Sequence, residues 1–318
     1  MSVNVARFEH KGKEKWGVVT NDGIIALKGN FPTTRDFIEN TDIAELKTAK
    51  GPKISLDAVK LLSPVTRNQQ FVCQGANYRQ HMIESGVDPD VKKYNMIFTK
   101  AASCIVAADS PVIIPKHVQF LDYEVELGLV MRKAITENLT LSREDLPEYV
   151  AGLVIVNDYS ARDIQIPQMQ FYKGKSFRTF GPVGPWLCLL EDADFTYLEA
   201  LQLTLSVDGE VRQDDTTENL VFKPAETLSE LSGVQDFQPG DLLATGTPAG
   251  CALRVPSPAK LKIGALLPEA KKWAMFLKAQ AKRTQYLRDG QIVETQIRSL
   301  DGVIDLGVQR NLVIKETE

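Results

Sequence analysis

Hydrophobic positions along this chain fall mostly at alternate residues in short runs, the spacing of half-buried strands rather than of helices. Residues 3–8 alternate, 16–20 form a second run, and Asn21-Asp22-Gly23 supplies turn chemistry before a third at 24–27. A short helix is expected after Pro32, around 35–40. Residues 61–64 lead into a differently patterned region. The expected organisation is therefore a small β-rich N-terminal domain at 1–65 and a larger domain at 66–318. No internal repeat or low-complexity tract is visible.

From Gln70 onward the chain reads as short strands joined by irregular connections punctuated with Gly and Pro. Strands are expected at 71–73, 112–114, 123–131, 152–157, 186–190, 201–207, 242–245 and 291–297. Helices look few: around 79–85, 143–146 and 268–286, the last within an apparent helical insertion at about 254–285. Many short strands without a βαβ rhythm favour a rolled or barrel-like sheet over a doubly wound one. The predicted fold class is mainly β with minor helix, an α+β arrangement around a distorted β-roll or barrel.

Composition narrows the function classes. The 318 residues carry a formal net charge of -4 and no clustered basic surface, so nucleic acid is not an expected partner. The best basic candidate, 271–283, is interleaved with Trp273, Met275, Phe276 and Leu277 and reads as an amphipathic helix. The polar, alternating start does not resemble a signal peptide, and apolar runs such as 151–156 are far too short to span a bilayer. Cys73, Cys104, Cys188 and Cys251 form no CxxC pair, which suits reduced thiols. A cytoplasmic protein with no membrane partner is expected.

The candidate chemistry lies in carboxylates. In Leu121-Asp122-Tyr123-Glu124-Val125-Glu126-Leu127, strand alternation would put Tyr123, Val125, Leu127, Leu129 and Met131 on one face and Asp122, Glu124 and Glu126 on the other. Neighbouring carboxylates raise one another's pKa unless a cation sits among them; a solvated strand face is the plain alternative. The apolar run 151–156 empties into Asn157-Asp158-Tyr159-Ser160, a place where site residues often stand, although Asp158 could equally be a turn residue. All-oxygen ligands would favour Mg²⁺, Ca²⁺ or Mn²⁺ over zinc. His81 and Glu84, three apart, would share a helix face, as a general base and its orienting carboxylate or as an exposed surface pair. Phosphate-loop, nucleophile-elbow and dinucleotide fingerprints all fail: Met169 stands where the phosphate loop needs its first glycine, and Phe177 and Arg178 follow Ser176.

Taken in order, Gly75-Ala76-Asn77-Tyr78 with His81 and Glu84, Phe98-Thr99-Lys100, Asp122-Tyr123-Glu124-Val125-Glu126, residues 157–165, Gly174-Lys175-Ser176-Phe177 and Gly240-Asp241 followed by residues 245–250 resemble the fumarylacetoacetate hydrolase superfamily, including its acylpyruvate hydrolases. The resemblance implies a distorted β-roll, commonly a homodimer. It implies Glu124, Glu126 and Asp158 as ligands of Mg²⁺ or Mn²⁺, and His81 and Glu84 on a lid segment that positions the attacking water. Lys175 would face a bound 2-keto or 2,4-diketo acid, with a pKa lowered by burial and the cation. Tyr78, Gln165 and Thr247 would contact that substrate, while Arg162 and Asp122 would brace the ligands from behind. The implied reaction is hydrolysis of the C–C bond of a 2,4-diketo acid through a pyruvate enolate. Decarboxylation or tautomerisation of related acids is the alternative, and a non-catalytic metabolite-binding relative a second one. Many relatives carry Asp after Gly-Lys-Ser-Phe, whereas this chain has Arg178, expected either to brace its loop or to meet a second substrate carboxylate.

Overall fold

The computed structural model describes residues 2–91, 93–169, 171–255 and 267–317. At the N-terminus the alternation produces the hairpins it predicts: strands Val3–His10, Lys13–Thr20 and Gly23–Ala26 form an antiparallel meander. Helix Thr34–Glu39 opens on a capping box between Thr33 and Asp36 and lays Phe37 flat on Trp16, with ring centroids 4.1 Å apart. The meander is not a separate sheet. Val3 and Val5 pair with Leu189 and Leu187, so strand pairing continues from the N-terminal residues into the larger part of the chain.

The resulting 11-stranded sheet runs in the order Lys53–Ile54, Gly23–Ala26, Lys13–Thr20, Val3–His10, Leu187–Leu189, Val150–Asn157, Val125–Met131, Leu242–Ala244, Phe71–Gly75 and Met96–Thr99, with Lys60–Leu62 pairing Val3–His10 off this path. A 5-stranded sheet follows the order Glu210–Thr216, Leu201–Val207, Ile292–Ser299, Asp305–Lys315, Val112–Ile114. The large sheet stays open at its edges, so the fold is a distorted roll, mainly β with minor helix.

Strand Val150–Asn157 explains its own unbroken apolar run. Leu153 and Ile155 join Leu203, Leu205, Val293 and Ile297 in the core between the two sheets, whereas Val154 and Val156 join Phe71, Cys73 and Leu242 in the core of the opposite face. A strand covered on both faces has no polar side to alternate with.

Several elements that escaped the sequence reading lacked a clear periodicity. Strand Glu210–Thr216 has one fully buried side chain, Gln213, and its one apolar residue, Val211, is exposed. Helices Ile43–Lys47, Arg162–Gln168, Phe171–Lys175 and Pro224–Ser232 were not anticipated. Three are too short for a 3.6-residue pattern to register, and Arg162–Gln168 also carries Pro167 inside it. Within the expected insertion, helix Glu269–Gln280 forms, while residues 256–266 lie outside the described residues. Among the described residues no helix is long and apolar enough to cross a membrane. All four cysteines are free and buried.

Candidate active site

Two neighbouring strands bring the carboxylates together. Val125 lies opposite Asn157 and Glu126 opposite Val156, so the start of one strand meets the end of the other. The Asp158 N–H donates to the Glu124 carbonyl at 2.8 Å, and the Glu124 N–H donates to Asn157 Oδ1 at 2.9 Å. This crossing places one oxygen each of Glu124, Glu126 and Asp158 within 4.8 Å of one another, all three residues buried. The solvated-face reading of these carboxylates is thereby removed.

Asp122 departs from the expected geometry. Pairing breaks at Tyr123 and Glu124: Leu121–Asp122 pairs with Ser160–Ala161, and Val125 begins a different pairing. The single polar face expected for Asp122, Glu124 and Glu126 therefore does not exist. The Asp122 carboxylate instead accepts from the N–H groups of Ala252 (2.7 Å) and Leu253 (3.0 Å) and from Arg162 Nε (2.8 Å). Arg162 also donates to Glu124 Oε1 and, at 2.8 Å, to Gln165 Oε1, so it braces a ligand carboxylate from behind.

Lys175 reaches the triad because helix Phe171–Lys175 packs tightly on Arg162–Gln168. A Cβ at Gly174 would meet Gln165 Cα and N at 2.9 Å, so only glycine permits this approach. Lys175 Nζ donates to Glu124 Oε2 and Asp158 Oδ2, both at 2.5 Å. Burial pushes its ammonium toward losing the proton, but the carboxylates of Asp158 and Glu124 outweigh that and hold the pKa above the usual lysine range. Burial acts in the expected downward direction, and it is the neighbouring anions that turn the balance upward when no cation stands among them. For Glu124, burial opposes ionisation, yet Arg162 and Lys175 hold its pKa down to about 2. Glu126 lacks such a partner. Burial, with Asp158 and Glu124 beside it, pushes its carboxyl well above the usual range, against a single hydrogen bond from the Gly246 N–H at 3.0 Å. Gly246 donates from a left-handed backbone (φ 92°), and a Cβ there would crowd Asn77 Cβ at 2.9 Å.

Sequence reasoning missed a second buried lysine. Lys100 Nζ donates to Asp158 Oδ1 and, at 2.7 Å, to the Phe180 carbonyl. The marker Phe98-Thr99-Lys100 was visible, but nothing local shows that a lysine beside a strand end will be fully buried. Gln213 was missed for the same reason. Its amide accepts from the Val125 N–H at 3.0 Å and donates to Thr247 Oγ1 and the Pro248 carbonyl, both at 2.9 Å.

The remaining expected residues are placed as follows. His81 is half-buried on helix Arg79–Glu84; burial lowers its pKa, while the nearby Glu124 carboxylate favours the protonated ring. Glu84 shares that helix but gives its carboxylate to Arg254 Nη1 at 2.6 Å and makes no hydrogen bond to His81. The Tyr78 hydroxyl is buried and has no hydrogen-bond partner among the described residues. Thr247 is buried, its hydroxyl donating to the Val125 carbonyl at 2.9 Å. Arg178 stands exposed on a turn, with no ion pair among the described residues.

Four buried carboxylates, Asp122, Glu124, Glu126 and Asp158, thus face three buried cations, Lys100, Arg162 and Lys175. One carboxyl group, that of Glu126, is left without a cationic partner among the described residues. Three clustered carboxylates, one of them unpaired, are the donor set of a hard, oxygen-preferring cation, so the residues present fit a divalent metal.

Comparison with known proteins agrees. Residues 70–314 match the family described as Fumarylacetoacetate (FAA) hydrolase C-terminal. The chain belongs to the fumarylacetoacetate hydrolase family. Enzymes of this family use a divalent metal. Residues 5–64 match a second family, Rv2993c-like, N-terminal. A Burkholderia multivorans relative, named a hydrolase without a substrate, is 34% identical over 275 residues, covering 83% of this chain and 94% of its own. The oxaloacetate tautomerase YisK of Bacillus subtilis is 36% identical over 214 residues, 66% of this chain and 69% of its own. Among solved structures, the fumarylacetoacetate hydrolase of Exiguobacterium antarcticum superposes with a TM-score of 0.74 at 27% identity, covering 99% of this chain and 100% of that one.

Proposed function

We propose that this chain hydrolyses the C–C bond of a 2,4-diketo acid of the acylpyruvate type, with Mg²⁺ or Mn²⁺ held by Glu124, Glu126 and Asp158. The observation that carries the reading is the half-buried His81 imidazole, close enough to Glu124 to feel its charge, beside a buried three-carboxylate centre. When bound, the cation acts as a Lewis acid on the keto-acid oxygens and as a template for them.

The residues supply the rest. His81 accepts a proton from water as the hydroxyl adds to the distal C4 carbonyl. The C3–C4 bond then breaks, its electron pair moving through C3 to the C2 oxygen, and a carboxylic acid and a pyruvate enolate result. Lys175 keeps its proton and offers its remaining N–H to that developing oxyanion, a contribution on the order of 10²-fold in rate for one such donor. The Tyr78 hydroxyl, buried without a partner, is a donor left for a substrate oxygen. Gln165, whose oxygen is taken by Arg162, presents its amide N–H side to the keto-acid carboxylate. Protonation of C3 completes pyruvate. In this reading the protein works as a cytoplasmic homodimer on a small-molecule acid.

A second reading, tautomerisation or decarboxylation of an oxaloacetate-like acid, is favoured by the Glu84–Arg254 pair, which leaves His81 without its orienting carboxylate. The relative named oxaloacetate tautomerase points the same way. The deciding experiment incubates metal-stripped protein with acetylpyruvate or oxaloacetate, with and without Mg²⁺ or Mn²⁺, and quantifies acetate, pyruvate, CO₂ and the oxaloacetate enol. Metal-dependent acetate release, lost by about 10²-fold or more in His81→Ala, is the expected result. Turnover of oxaloacetate with acetylpyruvate left intact would overturn hydrolysis in favour of the second reading.

A further inference from the structure

We propose that Arg254 is a specificity residue that reads a second, remote carboxylate on the substrate and, on doing so, releases Glu84 to His81. This inference rests on the proposed 2-keto acid chemistry and deepens it. Three observations carry it.

First, the backbone around Arg254 is fixed from both sides. The N–H groups of Ala252 and Leu253 bind the Asp122 carboxylate, and Asp122 stands two residues before the metal-ligand candidate Glu124. From the other side, Arg283 Nε donates to the Ala252 carbonyl at 2.6 Å and Gln280 Nε2 to the Arg254 carbonyl at 3.1 Å. Gln280 is itself held by the Tyr286 hydroxyl at 2.7 Å. The end of helix Glu269–Gln280 and the Asp122 cradle therefore clamp this stretch of main chain at the edge of the charged centre. The additional helix gains a role: it sets where Arg254 begins.

Second, the side chain is not clamped. Arg254 is exposed, and its guanidinium pairs with the half-buried Glu84 through Nη1 at 2.6 Å. A partly exposed pair of this kind is cheap to exchange for another carboxylate, because both partners keep much of their hydration in either state. The fork of N–H donors suits a planar carboxylate.

Third, Glu84 is the residue that His81 would need. The two are three apart on helix Arg79–Glu84, where such side chains are neighbours. While Arg254 holds Glu84, no carboxylate among the described residues hydrogen-bonds the imidazole to fix its ring and tautomer. A substrate whose far end carries a carboxylate offers Arg254 a new partner and returns Glu84 to His81. A monocarboxylic acid leaves the pair closed. Recognition of the remote anion and assembly of the base are then one exchange of ion pairs.

The test uses binding first. Full-length protein with Mg²⁺ is titrated by calorimetry with 2-oxoglutarate and with 2-oxopentanoate, two five-carbon 2-keto acids that differ in the terminal carboxylate. The wild type is expected to favour the dicarboxylate by roughly ten- to hundredfold, the range that a hydrogen bond to a charged group supplies. Arg254→Gln is expected to bring that ratio close to one, and Arg254→Lys to keep part of it. A ratio unchanged in Arg254→Gln, or both affinities falling together, would overturn the proposal while leaving the 2-keto acid reading intact. Mg²⁺ binding with no heat from either acid would instead sink the reading beneath it. Turnover supplies the second arm: Arg254→Gln should cleave acetylpyruvate several-fold faster than wild type because Glu84 is released, and Arg254→Gln with Glu84→Gln should lose that gain. A gain that survives the double substitution would show that Glu84 is not what Arg254 withholds.

Discussion

The carboxylate–lysine centre and the His81 helix sit side by side but are built in opposite ways. In the centre every charged side chain is buried, and Asp122, Glu124 and Asp158 are each held by at least two donors from different elements. Their positions are set by two sheet strands whose register cannot slip without carrying Leu153 and Ile155 out of one core and Val154 and Val156 out of another. Helix Arg79–Glu84 has six residues, one fully buried side chain (Met82), and ion pairs that reach outward, from Arg79 to Asp90 and from Glu84 to Arg254. The difference separates two tasks. A site for a multiply charged cation must be preorganised, because rearranging buried charges is expensive. A base that acts only on a seated substrate can ride on an element whose local stability is low.

The largest way to break this contrast is to remove the unpaired carboxyl. Glu126→Gln should lower Mn²⁺ affinity and metal-dependent turnover by at least about 10²-fold, since one of three ligand carboxylates is gone. The same substitution should leave the thermal midpoint of the metal-free protein unchanged or slightly raised. Burial and its two acidic neighbours already favour the neutral carboxyl at Glu126, and glutamine mimics that form. Calorimetric metal titration and a melting curve on one sample check both halves. A large loss of stability would show that Glu126 is paired in a way the centre does not display.

The next effect sets the two regions against each other directly. Lys100→Met takes away a buried ammonium and leaves Asp158 with an unpaired hydrogen-bonding position and the Phe180 carbonyl with the Tyr159 N–H alone as donor. Breaking one partner of a buried pair costs roughly 3–5 kcal/mol, and urea unfolding should show a loss of that size. His81→Ala, on the short outer helix, should cost less than about 1 kcal/mol in the same assay. Equal losses would mean that the His81 helix is as deeply integrated as the centre.

The same contrast decided what could be read from sequence. The carboxylates at 124 and 126 were legible as candidates from strand alternation and Asp158 because it follows a strongly apolar run, and the chain order of the motifs then singled out one family. His81 and Glu84 were legible as neighbours, since helix spacing is local. What the sequence hid was non-local. Asp122 looks like a third member of an alternating face, and only the change of strand partner at Tyr123 turns it toward Ala252 and Leu253. Lys100 and Gln213 become site residues through partners 58 and 34 positions away, Asp158 and Thr247. Arg254 is joined to Glu84 across a far longer stretch of chain. The pull of the neighbouring carboxylates on Lys175 was hidden too, because it depends on which charges stand nearest, and those arrive from separate parts of the chain.

The smallest effect concerns the scaffold beneath both regions and is seen only in alkali. Burial raises the Cys104 thiol from 9.0 to about 11 and the Cys188 thiol from 9.0 to about 12. A folded-state pKa above the unfolded one means that the folded protein keeps the proton longer. The stability these thiols contribute is therefore complete below about pH 9 and drains as pH rises toward the folded values. Each such thiol should cost about 1.4 kcal/mol per pH unit in that window, the linkage for one proton. Unfolding free energy measured at pH 8 and pH 10 should fall accordingly in the wild type. In Cys188→Ala the starting stability is lower, because a small cavity opens, but the fall between the two pH values should shrink by roughly one thiol's share. An unchanged pH slope in that variant would place the alkaline sensitivity elsewhere, in the buried tyrosines or the lysine-bearing centre, and would make the scaffold less passive than the comparison of the two regions supposes.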